Sequence, residues 1–209
     1  MPAAEDDVFF ADGGDAFIGE STTVKTLQVT NTATSVTVTI GDGQTLSILN
    51  TGAVGINAAS ADLTIDGGTL VFSTAGSGNE LDNGVNAGHV LTLNAFISGT
   101  FGFEAWRGST DVPGGTIIMG NETNDFTGVY RANAGHTVVV TKLADINSPS
   151  CIGAGDILRF ANMATLRYEG AGDGMNRAVQ LDGEGGRIEH NGQGELIPAT
   201  ARAVRRGWN

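Results

Sequence analysis

Apolar residues in this chain come in twos and threes with a single residue between them, and the pattern restarts about every two dozen positions. Leu46 and Ile48 flank Ser47, Leu63 and Ile65 flank Thr64, and Leu70 and Phe72 flank Val71. A period of two marks a strand with one face buried, so these six side chains are the predicted core. Val36, Val38 and Ile40 obey the same rule. Over 24–39 the alternation places Val24, Thr26 and Gln28 on one parity and Lys25, Leu27 and Val29 on the other. Further strands are predicted at 157–160, 165–168, 178–181 and 187–190. The best helical window, 199–208, lies at the end and holds Arg202, Arg205 and Arg206.

The restarting pattern is a repeat. Asn86-Ala87-Gly88-His89-Val90-Leu91-Thr92-Leu93 returns further along as Asn133-Ala134-Gly135-His136-Thr137-Val138-Val139-Val140. Gly114-Gly115-Thr116-Ile117-Ile118-Met119 lies midway. Thr45, Thr69, Thr92, Thr116, Thr137 and Thr165 each open a short run, the first four evenly spaced and the last two less so. About 24 residues suffice for three short strands and three turns, the content of one solenoid coil. An ordinary β-sandwich also spaces strands with turn signals, but it gives no reason for repeated wording. The prediction is one all-β domain, a right-handed parallel β-helix of seven to eight coils with about 24 residues per coil. Residues 1–20 would form an N-terminal cap, 21–198 the solenoid, and 199–209 a tail or truncated coil. Residues 76–88 read as a broad turn leaving the coil, and 143–155 as an excursion holding Pro149 and Cys151.

Composition fits this picture. Thirty-two glycines against four prolines supply the backbone freedom of tight turns without breaking strands. The formal charge of −12, from 23 carboxylates and 11 Lys and Arg, disfavours a binder of nucleic acid, which needs a positive stripe. Cys151 is alone, so no internal disulfide framework is expected. No apolar run approaches the roughly 20 residues that span a bilayer as a helix. The opening Met1-Pro2-Ala3-Ala4-Glu5-Asp6-Asp7 reads like a mature chain that starts after a cleaved export signal, which predicts a secreted or bacterial cell-surface protein.

Candidate chemistry is sparse. His89 and His136 fall on equivalent repeat positions two coils apart, roughly 10 Å along the stack, too far to share a metal ion. Asp66-Gly67-Gly68 and Asp12-Gly13-Gly14-Asp15 match calcium repeats only in part. No metal or cofactor is predicted. No Gly-x-Ser-x-Gly elbow, phosphate loop or aspartyl-peptidase triplet occurs. The segment 96–113 is the predicted contact region. Phe101, Phe103 and Trp106 lie there beside Glu104 and Arg107, an aromatic platform next to a carboxylate and a guanidinium. A sugar-cleaving β-helix would need two carboxyls roughly 5–9.5 Å apart on its outer face, with Glu104 the best candidate.

One family resemblance emerges. Asn124-Asp125-Phe126-Thr127-Gly128, followed by Asn133-Ala134-Gly135-His136-Thr137-Val138, resembles the autotransporter-associated β-strand repeat. Residues 165–172, 177–181 and 185–194 are similar to segments found between such repeats. The resemblance covers about 114–197 well and 20–113 loosely. It implies an exported bacterial surface protein with a passenger-type parallel β-helix, and it carries over no catalytic residue. The expected function is a non-catalytic structural or adhesive module that meets a surface glycan or protein receptor. The rival expectations are a polysaccharide-active enzyme and a fibre or virion-surface protein assembling through its solenoid ends.

Overall fold

Every ladder between strands is parallel, and the partners of each strand lie one coil away in sequence. The computed structural model describes residues 2, 4, 6–30, 32–50, 54–74, 80–106, 113–198 and 204–205. No described residue is helical. The chain winds as a β-solenoid, and the antiparallel sandwich is ruled out.

Three faces make up each coil. The first stacks Asp7–Phe10, Thr26–Val29, Ile56–Ala58, Glu80–Val85, Gly102–Ala105, Tyr130–Ala132, Ile157–Ala161, Ala178–Asp182 and Val204–Arg205. The second stacks Ala16–Ile18, the leading halves of Val36–Asn50 and Leu63–Thr74, then Val90–Leu93, Thr116–Met119, Thr137–Val140, Ala164–Tyr168 and Gly186–His190. These eight rungs make about seven turns. The third face holds Thr22–Val24, the trailing halves of the two long strands, and Phe96–Ser98. Asp173–Met175 and Leu196–Pro198 pair in the same place in chain order, in the last coils. Val36–Asn50 and Leu63–Thr74 run unbroken around a corner, where the register shifts between Ile40 and Thr45. Asp66 belongs to that corner, its Oδ1 accepting the Gly67 amide at 2.9 Å.

Because strands stack in register, like side chains form columns. Val36, Leu63, Leu91, Ile117, Val138, Leu166 and Ile188 are successive partners along the second face. All but the last are buried; Ile188 is 37% exposed at the edge. Each fully buried Leu, Ile or Val contributes about 1.5–3 kcal/mol, so the columns hold the rungs together. All six predicted core residues lie within this interior, none more than 1% exposed. Phe72, Phe103 and Tyr130 continue the core across coils, with Phe103 and Tyr130 stacked at 5.2 Å.

The threonine ladder holds in two pieces. Thr45 lies beside Thr69 on the third face. Thr116, Thr137 and Thr165 are direct partners on the second face, so their uneven spacing reflects true differences in coil length. Thr69, however, pairs with Phe96, and Thr92 pairs with Thr64. The pattern therefore changes face between Thr69 and Thr92. The predicted strands at 157–160, 165–168, 178–181 and 187–190 are all present, their starts at or one position before the predicted ones.

Three expectations are corrected. The alternation over 24–39 is not one strand, because the chain turns a corner at Lys25 and leaves Val24, Thr26 and Leu27 all buried. Within the predicted broad turn 76–88, Glu80–Val85 is a strand of the first face; residues 75–79 lie outside the described residues. Backbone pairing on both sides outweighs the turn-like composition there. In the helical window only 204–205 are described, and they form a strand beside Gln180 and Leu181. The entry segment contributes Asp7–Phe10 and Ala16–Ile18 to the edges of the first and second faces.

Candidate contact face

The outer surface of the first face carries a column of charge. Asp82 lies beside Glu104, Glu104 beside Arg131, Arg131 beside Arg159, and Arg159 beside Gln180. Alternation explains their position: the following residues Asn83, Ala105, Ala132 and Phe160 point inward and are buried. Rungs about 4.8 Å apart bring such neighbours into contact. Arg131 Nη1 meets Glu104 Oε1 at 3.1 Å, and Asn133 Nδ2 donates to the same oxygen at 2.6 Å. Arg159 donates from Nε and Nη2 to Gln180 Oε1, and its Nε stands 3.5 Å from Asp182. Asn162 Nδ2 extends the network to Asn133 Oδ1 at 2.8 Å.

Two carboxylates on adjoining rungs repel one another. Burial first, and then the neighbouring Glu104 with its hydrogen bond, push the Asp82 carboxyl up to about 6, against the pull of Arg131. Asp82 thus holds its proton into the mildly acidic range. Asp82 and Glu104 are direct neighbours on adjoining rungs.

The predicted contact residues separate. Phe101 is half-buried and packs against the core. Phe103 is fully buried and stacked on Tyr130, out of reach of any surface ligand. Glu104 is 7% exposed and engaged by Arg131 and Asn133. Trp106 is half-buried, directly after Gly102–Ala105, and its amide donates to Asn83 O. Arg107 lies outside the described residues. Of the predicted platform, Glu104 belongs to the outward column, and Trp106 follows it two residues on, just past the end of the strand. Sequence reasoning missed Asp82, Arg131 and Arg159, which lie one coil before Glu104, one coil after it and two coils after it. Unequal coil lengths hide that alignment. Beside the column, a groove of about 510 Å³ runs along the turns past Pro113, Ala134, Asn162, Met163 and Glu184.

The histidines show how the repeat works. In both copies of the phrase the His amide donates to the Asn carbonyl at 3.1 Å, so the turns are equivalent. The side chains are not. His89 is partly exposed, 3.7 Å from Asp62. His136 is fully buried and its Nε2 accepts from the Val85 amide, which leaves the ring proton on Nδ1, 2.8 Å from Asn133 O. The ring fills the space over Gly114, where a methyl group would overlap it. That is why the middle copy has glycine.

The residues carrying the family resemblance are likewise structural. Buried Asn124 accepts from the Ile97 amide of one coil at 2.8 Å and donates to Cys151 O of the next at 2.9 Å. Phe126 is core, 1% exposed. Cys151 is buried, with Sγ accepting from the Lys142 amide at 3.4 Å. Among the described residues no three His, Cys, Asp or Glu side chains converge as a metal site, and no helix is long and apolar enough to cross a membrane. No protein-family model matches the chain, and no curated protein or solved structure matches it either.

Proposed function

We propose that this chain is a non-catalytic structural and adhesive β-solenoid, working outside the cell as a passenger-type module. Its contact surface is the outer side of the first face around Trp106, and its partner is a polar surface, foremost a glycan. The observation that supports this is the state of the charged column. Glu104 pairs with Arg131 across one rung and Arg159 with Gln180 and Asp182 across another, on an open sheet, so the column stiffens the rod and presents a flat polar strip rather than a catalytic cleft. Trp106 beside that strip offers the apolar ring on which a sugar stacks, with hydrogen-bonding groups at its rim. The autotransporter resemblance supports the extracellular setting.

The test is Trp106→Ala, assayed for binding to a glycan array and to intact cells. Binding is expected to fall at least about tenfold, equivalent to about 1.4 kcal/mol, with the melting temperature unchanged. Retained binding, or a large drop in melting temperature, would assign Trp106 to packing. Release of sugars from a polysaccharide panel by the wild-type chain would replace this proposal with an enzymatic one.

A further inference from the structure

The last rung of the second face ends in a turn whose chemistry no structural role accounts for. Two Asn-Gly pairs occur in the chain, Asn83-Gly84 and Asn191-Gly192. Asn-Gly is the dipeptide in which a backbone amide most readily attacks the preceding side chain, because glycine has no Cβ to obstruct the approach. The two pairs sit in opposite settings. Asn83 is fully buried inside Glu80–Val85, a strand paired on both sides. Asn191 is exposed, just beyond the edge strand Gly186–His190.

At Asn191 the neighbouring side chain is a base. The Gly192 amide donates to His190 Nδ1 at 3.2 Å and shares its proton with Tyr168 O at 3.1 Å. His190 Nε2 lies 2.7 Å from Gly194 O. A carbonyl only accepts, so Nε2 carries the ring proton and Nδ1 presents its lone pair to Gly192. The ring is held in place edge-on to Tyr168 at 5.4 Å. The reach from Nδ1 to the amide nitrogen is that of a general base to the proton it removes.

We propose that Asn191 is a site of self-catalysed deamidation, with His190 as its general base. The Gly192 amide gives its proton to His190 Nδ1, and its nitrogen bonds to Asn191 Cγ. The Cγ–Nδ2 bond breaks, and the imidazolium returns the proton to the departing nitrogen, which leaves as ammonia. Water then opens the cyclic imide at either carbonyl and yields aspartate or isoaspartate. The isoaspartyl product adds a backbone carbon and a carboxylate where Gly192 packs directly on Gly170. The turn that closes the last rung then no longer fits, and the rung loosens with age.

The experiment follows the intact folded chain at neutral pH and physiological temperature by peptide mass mapping, with both Asn-Gly sites read in the same sample. Asn191 is expected to convert while Asn83 stays an amide. His190→Gln, which retains a polar side chain at the exposed position, is expected to slow conversion at Asn191 about tenfold or more. The wild-type rate should show an imidazole step with pH that His190→Gln lacks, a readout that a purely structural effect does not move. In urea the two Asn-Gly sites should react alike, and His190→Gln should have no effect. Equal rates for wild type and His190→Gln in the folded chain, or no conversion at Asn191, would overturn the proposal.

Discussion

Replacing Arg177 with alanine is expected to cost about 3–5 kcal/mol, the largest loss of any single side chain outside the aromatic core. Arg177 is 2% exposed. Its guanidinium donates to Ala144 O at 2.8 Å, Ser148 O at 3.1 Å, Gly153 O at 2.7 Å and Ser150 Oγ at 3.2 Å, with Asp145 O and Ile152 O at 3.4 Å. One planar fork thus gathers carbonyls from both ends of the excursion 143–155, whose backbone also bonds to the preceding coil at Asn124 O and Phe126 O. Burial lowers the guanidinium to about 10, opposed by Asp145 and Asp156, so it remains charged at neutral pH. Alanine removes the donors to Ala144 O, Ser148 O and the fully buried Ile152 O, while Gly153 O keeps the Ser150 hydroxyl and Asp145 O the Ser148 amide. Lysine restores the charge but lacks the planar fork, and is expected to recover less than half. Urea unfolding with hydrogen exchange over 143–155 reads the effect, since a solenoid can lose one coil locally. A loss below about 1 kcal/mol would mean that the excursion is held by something else.

The second large effect is expected at Gly128. A methyl group there would overlap Gly102 N and the Phe101 carbonyl carbon, backbone atoms of the adjoining rung. No side chain can swing aside, and separating the rungs would stretch the bond from the Phe103 amide to Val129 O, now 3.0 Å. Gly128→Ala should therefore cost about 2–3 kcal/mol through overpacking. Gly43→Ala is the control. Gly43 has a φ of +71° but nothing within 4 Å of an added methyl, so only the backbone cost of about 1 kcal/mol applies. Equal losses at the two positions in denaturant unfolding would show that rung contact at Gly128 is not tight.

The solenoid was legible because its core obeys a local rule. Leu46, Ile48, Leu63, Ile65, Leu70 and Phe72 each alternate within a short stretch of chain, and the repeated Asn-Ala-Gly-His turn fixed the coil scale. Faces were harder to read. Thr69 and Thr92 look like successive steps of one ladder, yet corners at Lys25 and Asp66 decide which face a strand joins, and composition does not encode a corner's angle. The charged column was illegible for a related reason. Asp82, Glu104, Arg131 and Arg159 meet only once a full coil, of a different length each time, has been wound between each and the next. Phe103 was misplaced because an aromatic residue near Trp106 and Arg107 looks the same in sequence whether it faces the core or solvent. The role of Arg177 was not readable, since its acceptors are backbone oxygens or a serine far away in sequence.

Cysteine pairs on the second face decide most directly whether the rungs are parallel and in register. Thr116 is the direct partner of Thr137, and Ile118 that of Val139. A parallel solenoid places each pair about 4.8 Å apart, within disulfide reach. Thr116→Cys with Thr137→Cys, and Ile118→Cys with Val139→Cys, should each close on mild oxidation, while Thr116→Cys with Val139→Cys should stay open. Closure of the crossed pair with both straight pairs open would mean antiparallel strands, and the tiered winding of this chain would be wrong.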